Sequence, residues 1–200
     1  MDIWLIRHGE TDWNIQKRVQ GWTDVPLNAT GHKQAELLAA SLEGIPFKHI
    51  YSSDLIRAHD TAKAIARRTG AAITTTKALR EQYFGQGEGL LASEKERRFP
   101  NGAPDEESRQ MLEARIGQFL QQVAKAHRTG RIILAAHGRV IGAALTWLGH
   151  KRVIMNNTSI TRLRVADGEF QIIAVNTTPH LDTINTDTPG DEPLPAAKMS

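Results

Sequence analysis

Two histidines and two arginines follow short apolar segments of the sequence. Arg7 and His8 come directly after the first such segment, His137 comes directly after a late one, and Arg57 lies shortly after another. A neutral imidazole can attack phosphorus, and the planar guanidinium of arginine binds two phosphoryl oxygens while keeping its charge at ordinary pH. Together these residue types predict phosphoryl-transfer chemistry, provided that the fold brings the side chains together.

Local sequence supports this interpretation at His8 and at Arg57. The guanidinium of Arg7 disfavours a second positive charge beside it, so His8 should stay neutral, and Gly9 lets a ligand approach the backbone closely. Arg57 falls in the first turn of a predicted helix, where a cation opposes the helix dipole at a cost of about 0.3–1 kcal/mol. Binding an anion would explain that placement, and an ordinary surface arginine that extends into solvent is the alternative.

Buried strands and amphipathic helices alternate along the chain and would position these residues. The segments typical of strands in a mostly parallel sheet are 3–6, 49–53, 72–76 and 132–136. Helical spacing of apolar residues follows Thr30 and Asp54, and recurs at 112–123 and 140–148. Two alternating strands, 158–165 and 170–175, are joined by a predicted hairpin turn at Asp167-Gly168. This order predicts an α/β protein, a three-layer sandwich on a mostly parallel sheet, in which ligands bind beyond the carboxyl ends of the strands.

The other segments set the expected domain limits. A polar stretch from Thr11 to Asn28 is predicted to be a long loop, and residues 77–104, with several glycines and prolines, to be a loop excursion over the site. Residues 177–200 are rich in Thr, Asp and Pro and are predicted to be a flexible tail. A single domain over residues 1–176 is therefore expected, in keeping with a chain of 200 residues.

The composition excludes several classes of protein. A hydrophobic fraction of 40% and a charged fraction of 24% argue against a wholly disordered chain, a collagen-like fibre and a coiled coil. No apolar run could span a bilayer and no secretory signal is recognisable, so a cytoplasmic location without a membrane partner is expected. The sequence contains no cysteine, which excludes disulfides and thiolate metal sites. A net charge of +3 suits small anions, whereas scattered basic residues and an aromatic content of 6% argue against a nucleic-acid partner.

Five blocks of sequence resemble, in the same order, motifs of the histidine phosphatase superfamily, which is also called phosphoglycerate mutase-like. The blocks are LIRHGETDWN at 5–14, RVQGWTDVPL at 18–27, SSDLIRA at 52–58, the acidic segment LRE at 79–81 with its following FG and EG pairs, and HG at 137–138. An isolated Arg-His-Gly tripeptide would mean little. The ordered set reaches from the N-terminus to residue 138 and is specific, and it implies the phosphoglycerate mutase-like version of the predicted fold.

The resemblance implies a role for each matching residue. His8 would be the nucleophile that becomes phosphohistidine, and Glu81 would protonate the leaving oxygen and then take a proton from water. The other implied site residues bind the phosphoryl group or line the substrate side; they are Arg7, Arg57, His137, Asn14, Gln20, Gly21 and Gly138. Nearby arginines favour the carboxylate form of Glu81 and a bound phosphate dianion favours its acid form, so we expect Glu81 to be a competent acid mainly when substrate is bound.

The implied reaction is metal-independent hydrolysis of a phosphomonoester, with a small phosphorylated metabolite as the partner and with no cofactor. Mutases of the superfamily have a longer excursion between the acidic motif and the second histidine, so the short excursion here favours a phosphatase over the alternative, a phosphoglycerate mutase. A non-catalytic phospholigand-binding protein is a second alternative, which the complete set of site residues disfavours. The chain would act as a monomer or a homodimer.

Two basic features stay open at this point. Lys95, Arg97 and Arg98 could meet a second acidic group on the substrate, or they could form a solvated surface. Arg139 stands where the resemblance leads us to expect a small or polar residue, and it could contact phosphate or close the pocket.

Overall fold

A six-stranded sheet forms the centre of the protein in a computed structural model, which describes residues 1–182. The strands are β1 (Asp2–Arg7), β2 (His49–Ser53), β3 (Ile73–Thr76), β4 (Arg131–Ala136), β5 (Ile160–Ala166) and β6 (Glu169–Thr177). Their order across the sheet is β3-β2-β4-β1-β5-β6. The first four strands run parallel, and β5 and β6 extend the sheet antiparallel beside β1. The predicted α/β class on a mostly parallel sheet is confirmed.

Helices cover both faces of this sheet. They are α1 (Asp12–Ile15), α2 (Ala29–Ser41), α3 (Ile56–Thr69), α4 (Ala92–Arg98), α5 (Arg109–Ala126) and α6 (Gly138–Trp147). One apolar core joins α2 and α3 to one face, and a second joins α5 and α6 to the other. These two cores make the three-layer sandwich, and α1 and α4 lie within the connections.

The uninterrupted apolar run of β4 reflects burial on both faces. Ile132 and Leu134 belong to the core beneath α5 and α6, whereas Ile133 and Ala135 belong to the core beneath α2 and α3. Such a strand is stable only in the middle of a covered sheet, and β4 lies between β1 and β2. The residues that follow these three strands are therefore brought to one edge.

Two connections differ locally from the prediction because side chains cap helix ends. The predicted loop from Thr11 contains α1, where Thr11 and Asn14 cap each other's backbone N–H groups reciprocally. Helix α2 begins after Asn28 rather than Thr30, since the Asn28 side chain accepts a hydrogen bond from Gly31 N at 2.8 Å.

The predicted excursion and tail contain more regular structure than expected. Residues 77–104 include two 3-10 helices, Lys77–Leu79 and Gly85–Gly87, in addition to α4. Residues 177–182 were predicted to belong to the flexible tail, but β6 runs to Thr177 and a 3-10 helix follows, with His180 buried. The rest of the predicted tail, 183–200, lies outside the described residues.

The hairpin between β5 and β6 is confirmed. Asp167 and Gly168 connect the two strands with φ angles of 52° and 84°, which a two-residue turn of this kind requires and which glycine adopts without strain. Within residues 1–182, no helix has both the length and the apolar character needed to cross a membrane.

Candidate active site

The ends of β1 and β4 bring the two predicted site histidines into contact. The strands are parallel neighbours in which Arg7 pairs with Ala136, so the next residue of each strand, His8 and His137, is at the same level. Their ring centroids are 5.2 Å apart. The meeting of the histidines at one edge of the sheet is as expected from the alternation of strands and helices.

His8 is held as a neutral imidazole with one defined tautomer. The side chain is 3% exposed, and Nδ1 lies 2.6 Å from the carbonyl oxygen of Gly9. Because a carbonyl oxygen only accepts, Nδ1 carries the proton and Nε2 keeps its lone pair. Burial is the main cause that lowers the pKa of His8 well below 6.5, and the charges of Arg57 and Arg7 lower it further. The sequence identified the electrostatic contribution of Arg7 but not the larger contribution of burial.

His137 lies behind His8 and is fully buried. Its Nε2 is 2.8 Å from the hydroxyl of Ser53, the last residue of β2. Burial, followed by the charge of Arg57, lowers the pKa of His137 well below 6.5. The side chain contacts the ring of His8 and is not among the residues that line the pocket described below.

Arg57 is a buried cation, so the alternative of a surface arginine is wrong. It is 0% exposed, and its guanidinium donates to Thr23 O at 3.0 Å and to Gly21 O at 2.7 Å. Burial lowers the pKa of Arg57 to about 10, which leaves it charged at neutral pH. Within residues 1–182 it forms no ion pair, so its charge is available to a phosphoryl group.

Arg7 approaches the same place from the end of β1. One guanidinium nitrogen donates to the carbonyl of Met155, while Nε is buried without a hydrogen-bond partner among the described residues. Burial lowers the pKa of Arg7, and the negative charge of Glu81 partly counters that effect. Two guanidinium groups thus lie near His8, each with an Nε left unpaired by the protein.

The predicted acid, Glu81, lines the same pocket as His8, Arg7 and Arg57. Its carboxylate accepts from Gln82 N at 2.9 Å and from Arg139 N at 3.3 Å. This pocket has a volume of about 170 Å³, and the residues that line it include Arg7, His8, Asn14, Gln20, Gly21, Arg57 and Glu81. Of the nine residues that the resemblance implied, this pocket unites seven; Gly138 lines an adjoining pocket, and His137 lies behind His8.

The substrate side of the pocket depends on a loop that Glu88 holds together. The Glu88 carboxylate accepts hydrogen bonds from the N–H groups of Trp22 and Thr23, both at 2.8 Å. Gly21 has a φ of 54°, and a Cβ atom there would collide with the Glu88 carboxylate. The side chain of Gln20 is buried, and its Oε1 has no partner among the described residues, which leaves an acceptor for a ligand.

Asn157 is a site residue that the sequence reasoning missed. Its Nδ2 donates to the carbonyl oxygen of His8 at 3.0 Å and to Oδ1 of Asn14 at 3.3 Å. It therefore links the backbone of the predicted nucleophile, His8, to the predicted phosphate-binding amide of Asn14. The only signal in the sequence is a polar Asn-Asn pair just before a predicted strand, and such pairs are common in loops.

The basic cluster on α4 is largely paired within the protein. Lys95 Nζ lies 2.7 Å from the carboxylate of Glu106, and Arg98 lies 3.5 Å from Glu94. None of the three cations lines the pocket of His8. Arg139, in contrast, lines it, and its guanidinium carbon lies 5.5 Å from the ring centroid of Phe84.

Known proteins resemble this chain over almost its whole described length. The family model of the histidine phosphatase superfamily, branch 1, matches residues 3–178. An uncharacterized phosphatase of Bacillus subtilis, PhoE, is 31% identical over 185 residues, which cover 90% of this chain and 96% of PhoE. A probable phosphoglycerate mutase of Salmonella arizonae, GpmB, is 34% identical over 188 residues, which cover 85% of this chain and 87% of GpmB.

A solved structure supports the same relationship. Phosphoserine phosphatase of Entamoeba histolytica, in complex with 3-phosphoglyceric acid, superposes with a TM-score of 0.78 at 28% identity and covers 90% of this chain and 98% of its own. The relatives named as phosphatases and the relative named as a probable mutase therefore have similar sequence identities to this chain, between 28% and 34%.

Proposed function

Because this chain belongs to the histidine phosphatase superfamily, we propose that it hydrolyses small phosphomonoesters through a phosphohistidine formed at His8. One observation carries the proposal. Gly9 holds the proton on Nδ1, so that Nε2 of a neutral imidazole is available inside a pocket that two arginines and a carboxylate share. This is the protonation state that an imidazole nucleophile needs.

The proposed reaction has two steps. Nε2 of His8 attacks phosphorus, the bond from phosphorus to the ester oxygen breaks, and Glu81 gives its proton to that oxygen. Glu81 then takes a proton from water, whose oxygen attacks the phosphohistidine and releases inorganic phosphate. Arg7 and Arg57 stabilise the negative charge on the phosphoryl oxygens in both steps.

Hydrolysis is favoured over the mutase alternative by access of water to the pocket. Arg18 and Arg139 line the pocket and are exposed, so the entrance of the pocket is open to solvent. A mutase must protect its phosphohistidine until product takes the phosphoryl group back. The similarity to GpmB keeps phosphoryl transfer between hydroxyls as the second candidate.

A panel of phosphomonoesters, assayed for phosphate release with EDTA present, tests the proposal. We expect turnover by the wild type and none by His8→Ala, whereas His32→Ala, at an exposed histidine of α2, should keep full activity. Brief reaction with radiolabelled substrate should leave an acid-labile, alkali-stable adduct on His8. A mutase assay on 3-phosphoglycerate runs alongside.

Three results would contradict the proposal. Turnover by His8→Ala would remove the nucleophile, and abolition of turnover by EDTA would contradict a metal-independent reaction. Rapid isomerisation of 3-phosphoglycerate with little release of phosphate would identify the chain as a mutase.

A further inference from the structure

A second pocket, of about 230 Å³, adjoins the pocket of His8 and shares Glu81 with it. Arg7, Glu81 and Arg139 line both pockets. In the proposed reaction the leaving oxygen must lie at the Glu81 carboxylate, opposite His8. Because Glu81 lines both pockets, the second pocket is the adjoining space for the rest of the leaving alcohol.

The second pocket has an excess of positive charge. Four arginines line it, and only two carboxylates oppose them, Glu81 and Glu113. Glu113 already accepts a hydrogen bond from the Thr146 hydroxyl at 2.8 Å. Among residues 1–182, none of these four arginines forms an ion pair; they are Arg7, Arg109, Arg139 and Arg152.

The neighbouring pocket beneath α4 provides a contrast. It is larger, about 640 Å³, and it shares Arg109 and Arg139, but the carboxylates of Glu96, Glu106 and Glu107 also line it. Its own lysine is paired with Glu106. The carboxylates thus balance the cations in the pocket beneath α4, whereas the arginines outnumber the carboxylates in the second pocket.

The arginines of the second pocket stay close to one another at an energetic cost. Burial is the main cause that lowers the pKa of Arg139, and the charge of Arg152 lowers it further. The charges of Glu81 and Glu106 partly oppose this effect, and Arg109 adds a smaller lowering. Arg109 and Arg139 also lie in the first turns of α5 and α6, which contain no acidic residue and where a cation opposes the helix dipole. A bound anion would relieve both kinds of repulsion.

One wall of the pocket is apolar. Leu112 and Ala143 are buried residues of α5 and α6, and Val153 and Met155 also line the pocket. Ile154 at the same pocket is 86% exposed, the most exposed of the large apolar side chains recorded within residues 1–182. The surface suits a carbon skeleton that carries charge at one end rather than a uniformly polar sugar.

We propose that this second pocket binds the leaving group, and that the preferred substrates are phosphomonoesters whose alcohol has an apolar body and a second acidic group. This inference rests on the proposed function, because it takes Glu81 as the residue that meets the leaving oxygen. Arg139 and Arg152 are the specificity-determining residues, since they come from different segments and converge on one pocket. They replace Lys95, Arg97 and Arg98 as the cations that would meet a second acidic group.

A pair of matched aryl phosphates tests this inference. Phenyl phosphates with a para propanoate or a para propanamide side chain have similar leaving groups and differ in one charge. For the wild type we expect kcat/KM to be about 30-fold higher for the propanoate. Arg139→Gln and Arg152→Gln should each reduce that preference about five-fold or more, and Arg128→Gln, an exposed arginine outside these pockets, should preserve it.

Hydrolysis of p-nitrophenyl phosphate, measured in parallel, separates the two proposals. Normal turnover of that ester with equal kcat/KM for the matched pair would overturn this inference alone. An undiminished preference in both pocket variants would overturn it as well. If the wild type hydrolyses none of these three esters, the proposed function itself fails.

Discussion

The buried centre of the site is held differently from the residues around it. We call the centre, His8, His137 and Arg57, the floor, although His137 lies behind the pocket lining. We call the surrounding residues, Glu81, Arg139 and the Asp54–Arg80 pair, the rim. The floor side chains are at most 3% exposed, and each is hydrogen-bonded to the backbone or to a buried hydroxyl. His8 and His137 directly follow two paired parallel strands, and Arg57 lies in the first turn of α3, which follows β2.

The rim consists of side chains on loops and helix starts. Arg80 forms a two-pronged ion pair with Asp54, with both distances 2.7 Å, and its guanidinium also lies 4.8 Å from the ring centroid of Trp22. Phe84 lies between the charges of Lys95 and Arg139. Under the proposed function, the groups that would react with phosphorus are fixed by the sheet. The contacts that would select the substrate are partly exposed and can change without disturbing the sheet.

Removing the buried floor cation should have the largest effect. Arg57→Gln removes a charge beside His8 and the donors to the carbonyls of Gly21 and Thr23. We expect kcat/KM for a phosphomonoester to fall about 10³-fold. The matched control is Arg68→Gln, an exposed arginine on the same helix, which should be fully active. A loss below ten-fold for Arg57→Gln would show that the floor is less important than its burial indicates.

Glu81→Gln tests the most important group of the rim. The amide can neither protonate a leaving oxygen nor take a proton from water, so kcat for an alkyl phosphate should fall about 10²–10³-fold. A nitrophenolate leaving group needs no proton, so the variant should release one equivalent of nitrophenol and then stall as phosphohistidine. Rapid-quench measurement of that burst checks the prediction. Unchanged steady-state turnover, with both limbs of the pH–rate profile retained, would remove Glu81 from the mechanism.

Asn157→Ala should weaken the support of the floor without removing a reacting group. The variant loses the donor to His8 O and to Asn14, so we expect kcat to fall about ten-fold with a smaller change in KM. Asn101→Ala, at an exposed asparagine outside the His8 pocket, is the control. An increase in KM alone would indicate that Asn157 contacts substrate instead of positioning His8.

The floor could be predicted from the spacing of residues along the chain, whereas the rim could be predicted only in part. Glu81 was identified through the family resemblance and lines the pocket, but the Asp54–Arg80 pair was not identified. Apolar runs that end in His8 and His137 identify neighbouring parallel strands, and parallel strands bring their carboxyl ends together. Asn157 follows no such run, and its position depends on how the segment before β5 returns to β1. The pairing of Lys95 with Glu106 likewise depends on a contact between segments that are distant in sequence. The sequence therefore showed that Lys95, Arg97 and Arg98 are close together, but not that Lys95 is paired with a carboxylate.

The buried floor histidines should make stability depend on pH. Their pKa values are lowered in the folded protein, so below about pH 6.5 the unfolded chain binds protons that the folded chain does not. The free energy of unfolding should therefore fall as pH falls, by at most about 1.4 kcal/mol per pH unit for each such histidine. Denaturant unfolding between about pH 7 and pH 5 measures this slope. His137→Gln should reduce this slope, whereas the control His32→Gln, at an exposed histidine, should leave it unchanged. Equal slopes in the wild type and in both variants would contradict burial of the histidines as the cause.

The ion pair at the rim should have the smallest effect. Asp54→Asn keeps the shape of the side chain and removes the charge that Arg80 contacts. Because the ion pair is partly exposed, the loss in free energy of unfolding should stay below about 1 kcal/mol. This loss should become smaller in high salt, which screens the pair. Because Arg80 directly precedes Glu81, we also expect kcat/KM to fall about two- to five-fold. The control is Asp60→Asn, in an ion pair with Lys63 on α3, which should change neither the free energy of unfolding nor kcat/KM. The hydrogen bonds from Arg80 lower the pKa of Asp54, so the contribution of this pair should be lost as pH falls through the lowered pKa. A loss of activity as large as that of Glu81→Gln would mean that the rim is as strictly constrained as the floor, and the division between fixed chemistry and adjustable substrate choice would not hold.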